Sequence, residues 1–383
     1  MSGRLLRMAA PALLAVLAGC SNLPPSFPLI GARAEKAKPA ELRATPTLRA
    51  AGRAWTGPIG AFDFPLVVTV SGTAAALAAR DGTVVGFDAA TGREQWRGSA
   101  NAPLAAGVGF DGSTAAVITR GNDLVAFASG KEVWRQKLGA LSYTAPLVAG
   151  ARVFVLGGDR SVTAFDGGTG RRLWTQQRTT DPLVLRQSGV ILAVGDTLVV
   201  GQGGRLAGLN PLNGSVRWEA PIATARGIDE VERLVDLVGG VSRVGDSVCA
   251  RAFQAAVGCV DTATGRTAWA QRARGSEGLH GDGTHVFGTE SDSRVVAWRR
   301  DNGQRAWSNE RLLNRGLGTP LALGRAVVTG DDFGFVHLLS REDGSLLTRL
   351  STDGSAVAAA PVAAGSTLVV VTRDGGVFGF VPQ

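Results

Sequence analysis

The chain has 383 residues, of which 53 are Gly, with 45% hydrophobic and only 19% charged side chains. That composition is too apolar for disorder and too rich in Gly for a helical bundle, and no apolar run reaches the roughly 18 residues that a membrane-spanning helix needs. Of the formal charge of +8, residues 1–19 carry +2 and residues 20–50 carry +3, which leaves +3 on the long remainder; with no basic stripe interleaved with aromatics there, no nucleic-acid partner is expected.

In chain order, Arg4 and Arg7 come first, then the apolar stretch Met8 to Ala18, then Leu17-Ala18-Gly19-Cys20. A positive start followed by a short apolar run is the pattern of a secretory signal peptide. The four-residue ending resembles a bacterial lipobox, in which Cys20 becomes the lipidated first residue of the mature chain. An ordinary signal peptide with a chance Cys, or a buried N-terminal helix, is the competing reading; the match at all four positions favours lipidation. Ser21 in place of Asp fits retention at the outer membrane, facing the periplasm. Residues 20–46 contain Pro24, Pro25, Pro28, Pro39 and Pro46 and no sustained hydrophobic period, so they read as a tether that could reach roughly 90 Å if fully stretched.

From residue 47 onward the chain repeats itself. Val84-Val85-Gly86-Phe87-Asp88 leads through Thr91-Gly92 to Trp96, and the phrase returns at Phe127 to Trp134, Phe165 to Trp174, Leu209 to Trp218, Val260 to Trp269 and Trp298 to Trp307. A seventh copy has Thr348 where the Trp should be, and an eighth ends at Phe380. Each copy reads as strands separated by tight Gly turns, opened in several cases by Pro-Leu or Pro-Val at Pro103, Pro146, Pro320 and Pro361. At about 42 residues per copy this predicts an all-β, eight-bladed β-propeller of four-stranded antiparallel blades. The unpartnered Trp55 predicts that an N-terminal strand pairs with the C-terminal strands and closes the ring. Small residues in each third strand, such as Gly86, Ala126 and Gly208, fit tight blade-to-blade packing.

The repeat is similar to that of the quinoprotein dehydrogenases, which carry adjacent cysteines and acidic metal ligands facing their cofactor. This chain has no Cys-Cys pair. His280, His285 and His337 lack metal-ligand spacing, and Asp81, Asp88, Asp166 and Asp261 recur with the repeat, as turn chemistry requires. No catalytic residue, metal or cofactor is expected, and a quinoprotein-like enzyme or small-ligand sensor is the alternative reading. Cys249 and Cys259 flank one hairpin. A two-residue turn at Gln254-Ala255 would point the thiols to opposite faces, and a three-residue bulged turn would set them opposite each other; a disulfide stays open.

A lipobox, a tether and eight such repeats together resemble the BamB family, lipoproteins of the β-barrel assembly machinery of Gram-negative outer membranes. The resemblance implies a non-catalytic scaffold that docks on the periplasmic domains of BamA beside other Bam subunits and serves unfolded outer-membrane β-barrel substrates. Leu183, Leu185 and Arg186 match the family's Leu-x-Leu-Arg segment, and Asp236 follows Arg-Leu as in its Arg-Leu-x-Asp-x-Asp stretch, residues implicated there in contacting BamA. Val238 stands where the second Asp would be. The connector holding Asp229, Glu230, Arg233 and Asp236 is the long one, because Trp218 and Trp269 are 51 residues apart while the other intervals between repeat tryptophans are 38 to 44. Connectors of a four-stranded meander emerge on one face, so the two segments should be neighbours. Exposed Leu anchors with flanking charges would form the hot spot, with Asp236→Ala abolishing docking at a cost of only a few degrees of melting temperature. The competing reading makes Leu183 and Leu185 the start of an inner strand.

Overall fold

Short apolar stretches bounded by Gly turns become strands throughout. The computed structural model describes residues 37–44, 52–60, 62, 64, 66–177, 184–224 and 235–381. Cys20, Leu183, Asp229, Glu230 and Arg233 lie outside them. Among the described residues the strands form eight four-stranded antiparallel sheets and no helix. Blade 3 shows the pattern: Leu147–Ala149, Arg152–Leu156, Val162–Asp166 and Arg172–Gln176 pair in that order.

The second and third strands of each blade are more apolar than a half-buried sheet requires. Val153 and Val155 pack in one cluster with blade 2, while Phe154 and Leu156 pack in another with blade 4. The period of two survives, but both faces are covered by neighbouring blades, which is why these stretches read as continuous apolar runs. The core is thereby divided among the eight seams, as in the cluster of Val199 and Leu206 with Val248 and Val260 between blades 4 and 5. Outer strands have one wet edge and keep polar residues, as in Val216–Pro221.

The small third-strand residues have a more specific reason than blade-to-blade packing. Gly86 pairs with Trp96, Ala126 with Trp134, Gly208 with Trp218 and Ala297 with Trp307, each within its own blade. A Cβ on Gly208 would lie 2.2 Å from Trp218 Cε2. Where the Trp is missing, the constraint is lifted: Thr348 faces Leu338. Most of these rings then cover the turn glycine of the following blade. A Cβ on Gly170 would strike Trp134, on Gly214 Trp174, on Gly303 Trp269 and on Gly344 Trp307. These turn glycines also have φ near +70°, so the position admits no side chain for two reasons. The Trp307 indole N–H donates to the Arg341 carbonyl of the next blade at 2.9 Å, and Trp269 does the same to Arg300 at 2.7 Å.

Thr348 in blade 7 now has an explanation. Blade 8 is assembled from both ends of the chain: Gly52–Pro58 pairs with Gly376–Val381, with Trp55 opposite Gly379. It therefore has no hairpin between its third and fourth strands, and no turn glycine there, for a blade 7 Trp to cover. Trp55 itself covers Gly92 of blade 1 and donates to the Ala89 carbonyl at 2.9 Å.

Two expectations change in detail. Pro146, Pro320 and Pro361 do precede first strands, but after Pro103 the strand begins only at Gly109. In blade 5 the turn is the three-residue Phe253-Gln254-Ala255, with Gln254 at φ 52°. That register sets Cys249 opposite Cys259, and the two form a buried disulfide. Pro39–Gln383 is one compact unit. Its first residues, within the stretch expected to be tether, lie against blades 6 and 7: Ala40 N–H donates to the Leu313 carbonyl at 2.9 Å, and Leu42 packs on the cluster that includes Trp307, Leu312 and Leu339.

Candidate functional site

In each blade the turn between second and third strands lies on the same face as the connector to the next blade. On that face two connectors meet. The connector leading into blade 4 includes Leu185 and Arg186, and no strand begins there until Ile191. The long connector leading into blade 5 runs between the strands Val216–Pro221 and Leu237–Val244 and ends at Asp236, a narrower span than the sequence suggested.

Asp236 joins them. Its Oδ2 accepts from the Leu185 backbone N–H at 2.9 Å, and its Oδ1 accepts from Arg160 Nε at 3.1 Å and Nη2 at 2.8 Å. The Arg160 and Asp236 side chains are only 10% and 15% exposed. The Asp236 carbonyl also accepts from Phe253 N–H in the blade 5 turn at 2.9 Å. This carboxylate therefore faces inward, and it holds the Leu185 backbone in place. Its oxygens are used within the fold, so any part Asp236 takes in docking is through the Leu185 backbone it positions.

What remains outward is Arg186, which is exposed and stacks its guanidinium 5.5 Å from the ring centre of Tyr143, with Leu185 half-buried beside it. The connector beyond is stitched at successive points: Gln187 Nε2 donates to the Ser276 carbonyl at 2.6 Å, Gly189 N–H to Thr144 Oγ1 at 2.9 Å, and Gly239 N–H to the Ser188 carbonyl at 2.7 Å. Blades 3, 5 and 6 thus fix one short segment, as a preorganised docking surface requires. Val238, at the departure from the family's Asp, is 3% exposed and offers no surface.

Arg160 was not anticipated, yet the sequence held a signal for it. Its turn position has φ 62°, and the matching positions of other blades are Gly82, Asn122, Ser293, Gly334 and Gly375, all with positive φ. Only blade 3 places an Arg at this left-handed position, where a side chain other than that of Asn or Asp has no local advantage. Its reward is the bond to Asp236.

Several other titratable groups are held by contacts within the fold. The Asp88 carboxyl accepts from Thr91 Oγ1 and N–H at 2.8 and 2.9 Å, bonds that hold its pKa below the usual value, and Asp166 repeats the arrangement with Thr169. Burial pushes the His337 imidazole down, while its Nε2 lies 2.9 Å from Asp331 Oδ2, which also binds Arg315 at 2.7 Å. Burial likewise lowers His280, whose Nδ1 accepts from Ala322 N–H at 3.0 Å. Among the described residues no three His, Cys, Asp or Glu side chains converge as metal ligands.

A sequence model of the family described as outer membrane protein assembly factor BamB matches residues 80–309. The chain belongs to the BamB family. It is 40% identical to the outer membrane protein assembly factor BamB of Burkholderia pseudomallei over 335 residues, covering 86% of this chain and 87% of the relative, and 36% identical to that of Bordetella pertussis, covering 94% and 93%. The crystal structure of BamB from Moraxella catarrhalis superposes with a TM-score of 0.78 at 25% identity, over 86% of this chain and 99% of that one. The quinohemoprotein alcohol dehydrogenase of Comamonas testosteroni, with a TM-score of 0.68 at 15% identity over 87% and 76% of the two chains, shares the fold alone.

Proposed function

We propose that this BamB-family chain is a non-catalytic scaffold of the outer-membrane protein assembly complex, held at the outer membrane by lipid on Cys20 and facing the periplasm. It docks on the periplasmic domains of BamA through the two joined connectors, and so presents its propeller beside β-barrel substrates awaiting insertion. The observation that carries this reading is the Arg160–Asp236–Leu185 clamp, in which a nearly buried ion pair fixes the connector between blades 3 and 4. Leu185 and Arg186 supply an apolar anchor and a cation at its outer side, the residue types that concentrate binding energy; Leu183, Asp229, Glu230 and Arg233 belong to the same two connectors. Co-purification of BamA with tagged chain from native envelopes is the test. Leu185→Ala with Arg186→Ala should remove BamA while leaving the melting temperature within a few degrees, and Cys20→Ala should release the chain into the soluble periplasmic fraction. Undiminished BamA binding by the double variant would move the docking face elsewhere.

A further inference from the structure

Residues 40–44 lie along the seam between the outer strands of blades 6 and 7, and together with it they line a groove with about 1060 Å³ of open space. The seam itself is covered by this segment, residues 39–44. The segment is extended, with Ala40 and Leu42 half-buried and Glu41 and Arg43 exposed. It forms no ladder with either strand. Three main-chain contacts hold it: Ala40 N–H to the Leu313 carbonyl at 2.9 Å, Arg315 Nη1 to the Ala40 carbonyl at 3.1 Å, and Arg349 Nη2 to the Arg43 carbonyl at 3.0 Å. Leu42 alone supplies an apolar anchor, against Trp307, Leu312 and Leu339.

None of these contacts reads a particular sequence. They read an extended backbone with one large apolar side chain among alternating residues. The two guanidinium groups are fixed beforehand, Arg315 by Asp331 at 2.7 Å and by stacking 4.7 Å from the Phe333 ring centre, and Arg349 by stacking 5.6 Å from that of Phe335. Donors held in place in this way bind a carbonyl at little cost in ordering. The groove walls carry Glu310 and Asp343 against Arg311 and Arg349, so charge does not select the occupant either. A strand of an unfolded β-barrel protein, alternating apolar and polar at a period of two, has the required pattern.

We propose that this seam binds extended, non-native β-strand segments of barrel substrates, and that residues 39–44 occupy it as an internal competitor. The choice of substrate rests on the assembly function proposed above; the groove's taste for extended main chain does not. Being tethered, the internal segment competes at an effective concentration in the millimolar range, so a peptide added in trans binds the intact chain weakly and binds well once the segment is loosened.

The test uses two labelled ten-residue peptides, one with the sequence of residues 37–46 and one of alternating Leu and Thr, titrated by fluorescence anisotropy into the full chain. Leu42→Ser, a change confined to the segment, should tighten binding of both peptides about tenfold or more, since it removes the segment's large, half-buried apolar anchor. Adding Arg349→Met to Leu42→Ser should reverse the gain, with circular dichroism and melting checked for each variant. Equal binding by intact and Leu42→Ser chains, or full binding retained in the Arg349→Met double variant, would overturn the site. Binding of the first peptide without the second would overturn the substrate and leave only a self-docking strap. The Leu185→Ala and Arg186→Ala chain should bind both peptides normally, so a failed docking surface and a failed groove give different results.

Discussion

Replacing Asp236 with Ala separates a residue that touches the partner from one that positions what does. The substitution removes the acceptor of the Leu185 N–H and leaves Arg160 without its carboxylate, in a pair whose side chains are 10% and 15% exposed. Breaking a fully buried pair from one side costs about 3–5 kcal/mol; residual water at this exposure lowers the expected loss to about 2–4 kcal/mol. For a folded unit this large, that is a fall of roughly 3–6 °C in melting temperature. BamA co-purification should fall as well, because Leu185 and Arg186 are no longer held. Arg160→Met should do both things similarly, and the two substitutions together should be little worse than either, since one ion pair is lost in each case. Urea unfolding and affinity purification of the three variants measure this. Loss of BamA with Asp236→Ala at an unchanged melt, together with an intact complex for Arg160→Met, would refute the reasoning and make Asp236 a direct contact.

Gly208→Ala should destabilise by about 1–3 kcal/mol in urea, because its Cβ would lie 2.2 Å from Trp218 Cε2. Gly208→Leu combined with Trp218→Thr, which copies the Leu338 and Thr348 pair of blade 7, should cost at least about 1 kcal/mol less than the sum of the single changes. The disulfide closes a loop between residues ten apart, so Cys249→Ala with Cys259→Ala should cost about 3 kcal/mol by the chain-entropy relation, and the unreduced mass should fall 2 Da short of the dithiol value. Burial holds His337 below the ordinary histidine value, so the folded chain prefers the neutral ring. That contribution is present above about pH 6.5, the unfolded value, and is lost as pH falls below it. Asp331, held low by its bonds to His337 and Arg315 against the opposing effect of burial, adds a further loss in more acidic solution. His337→Gln should make stability fall less steeply as pH drops below about 6.5, measured by urea titration at each pH.

The propeller was legible because its information is local and repeated. A turn Gly, a small third-strand residue and a Trp four residues after the Gly recur in six copies, and each is dictated by contacts within one blade or to the next. Even the closure left a mark, in the unpartnered Trp55. The two joined connectors were legible as excess length and as a family pattern, but the part Asp236 plays between them was not. Asp236 looks in the sequence like any charged loop residue. Only the arrival of Arg160 from 76 residues away and of the Leu185 backbone from 51 residues away turns it inward. The disulfide was undecidable for a related reason, because one residue more or less in the blade 5 turn reverses the face that Cys249 presents.

The sequence by itself therefore determined the number of blades, their strand order and the positions of the recurring glycines and tryptophans, since those depend on spacings of a few residues; that each small third-strand residue faces a Trp was seen only in the structure. It also determined that Thr348 was exceptional, though not why. Tertiary structure alone decided that the exception belongs to the blade facing the closure, which has no turn glycine to cover. It likewise decided that Asp236 is a clamp and that residues 39–44 lie in a seam, because those outcomes depend on which distant surfaces the closed ring brings within hydrogen-bonding reach.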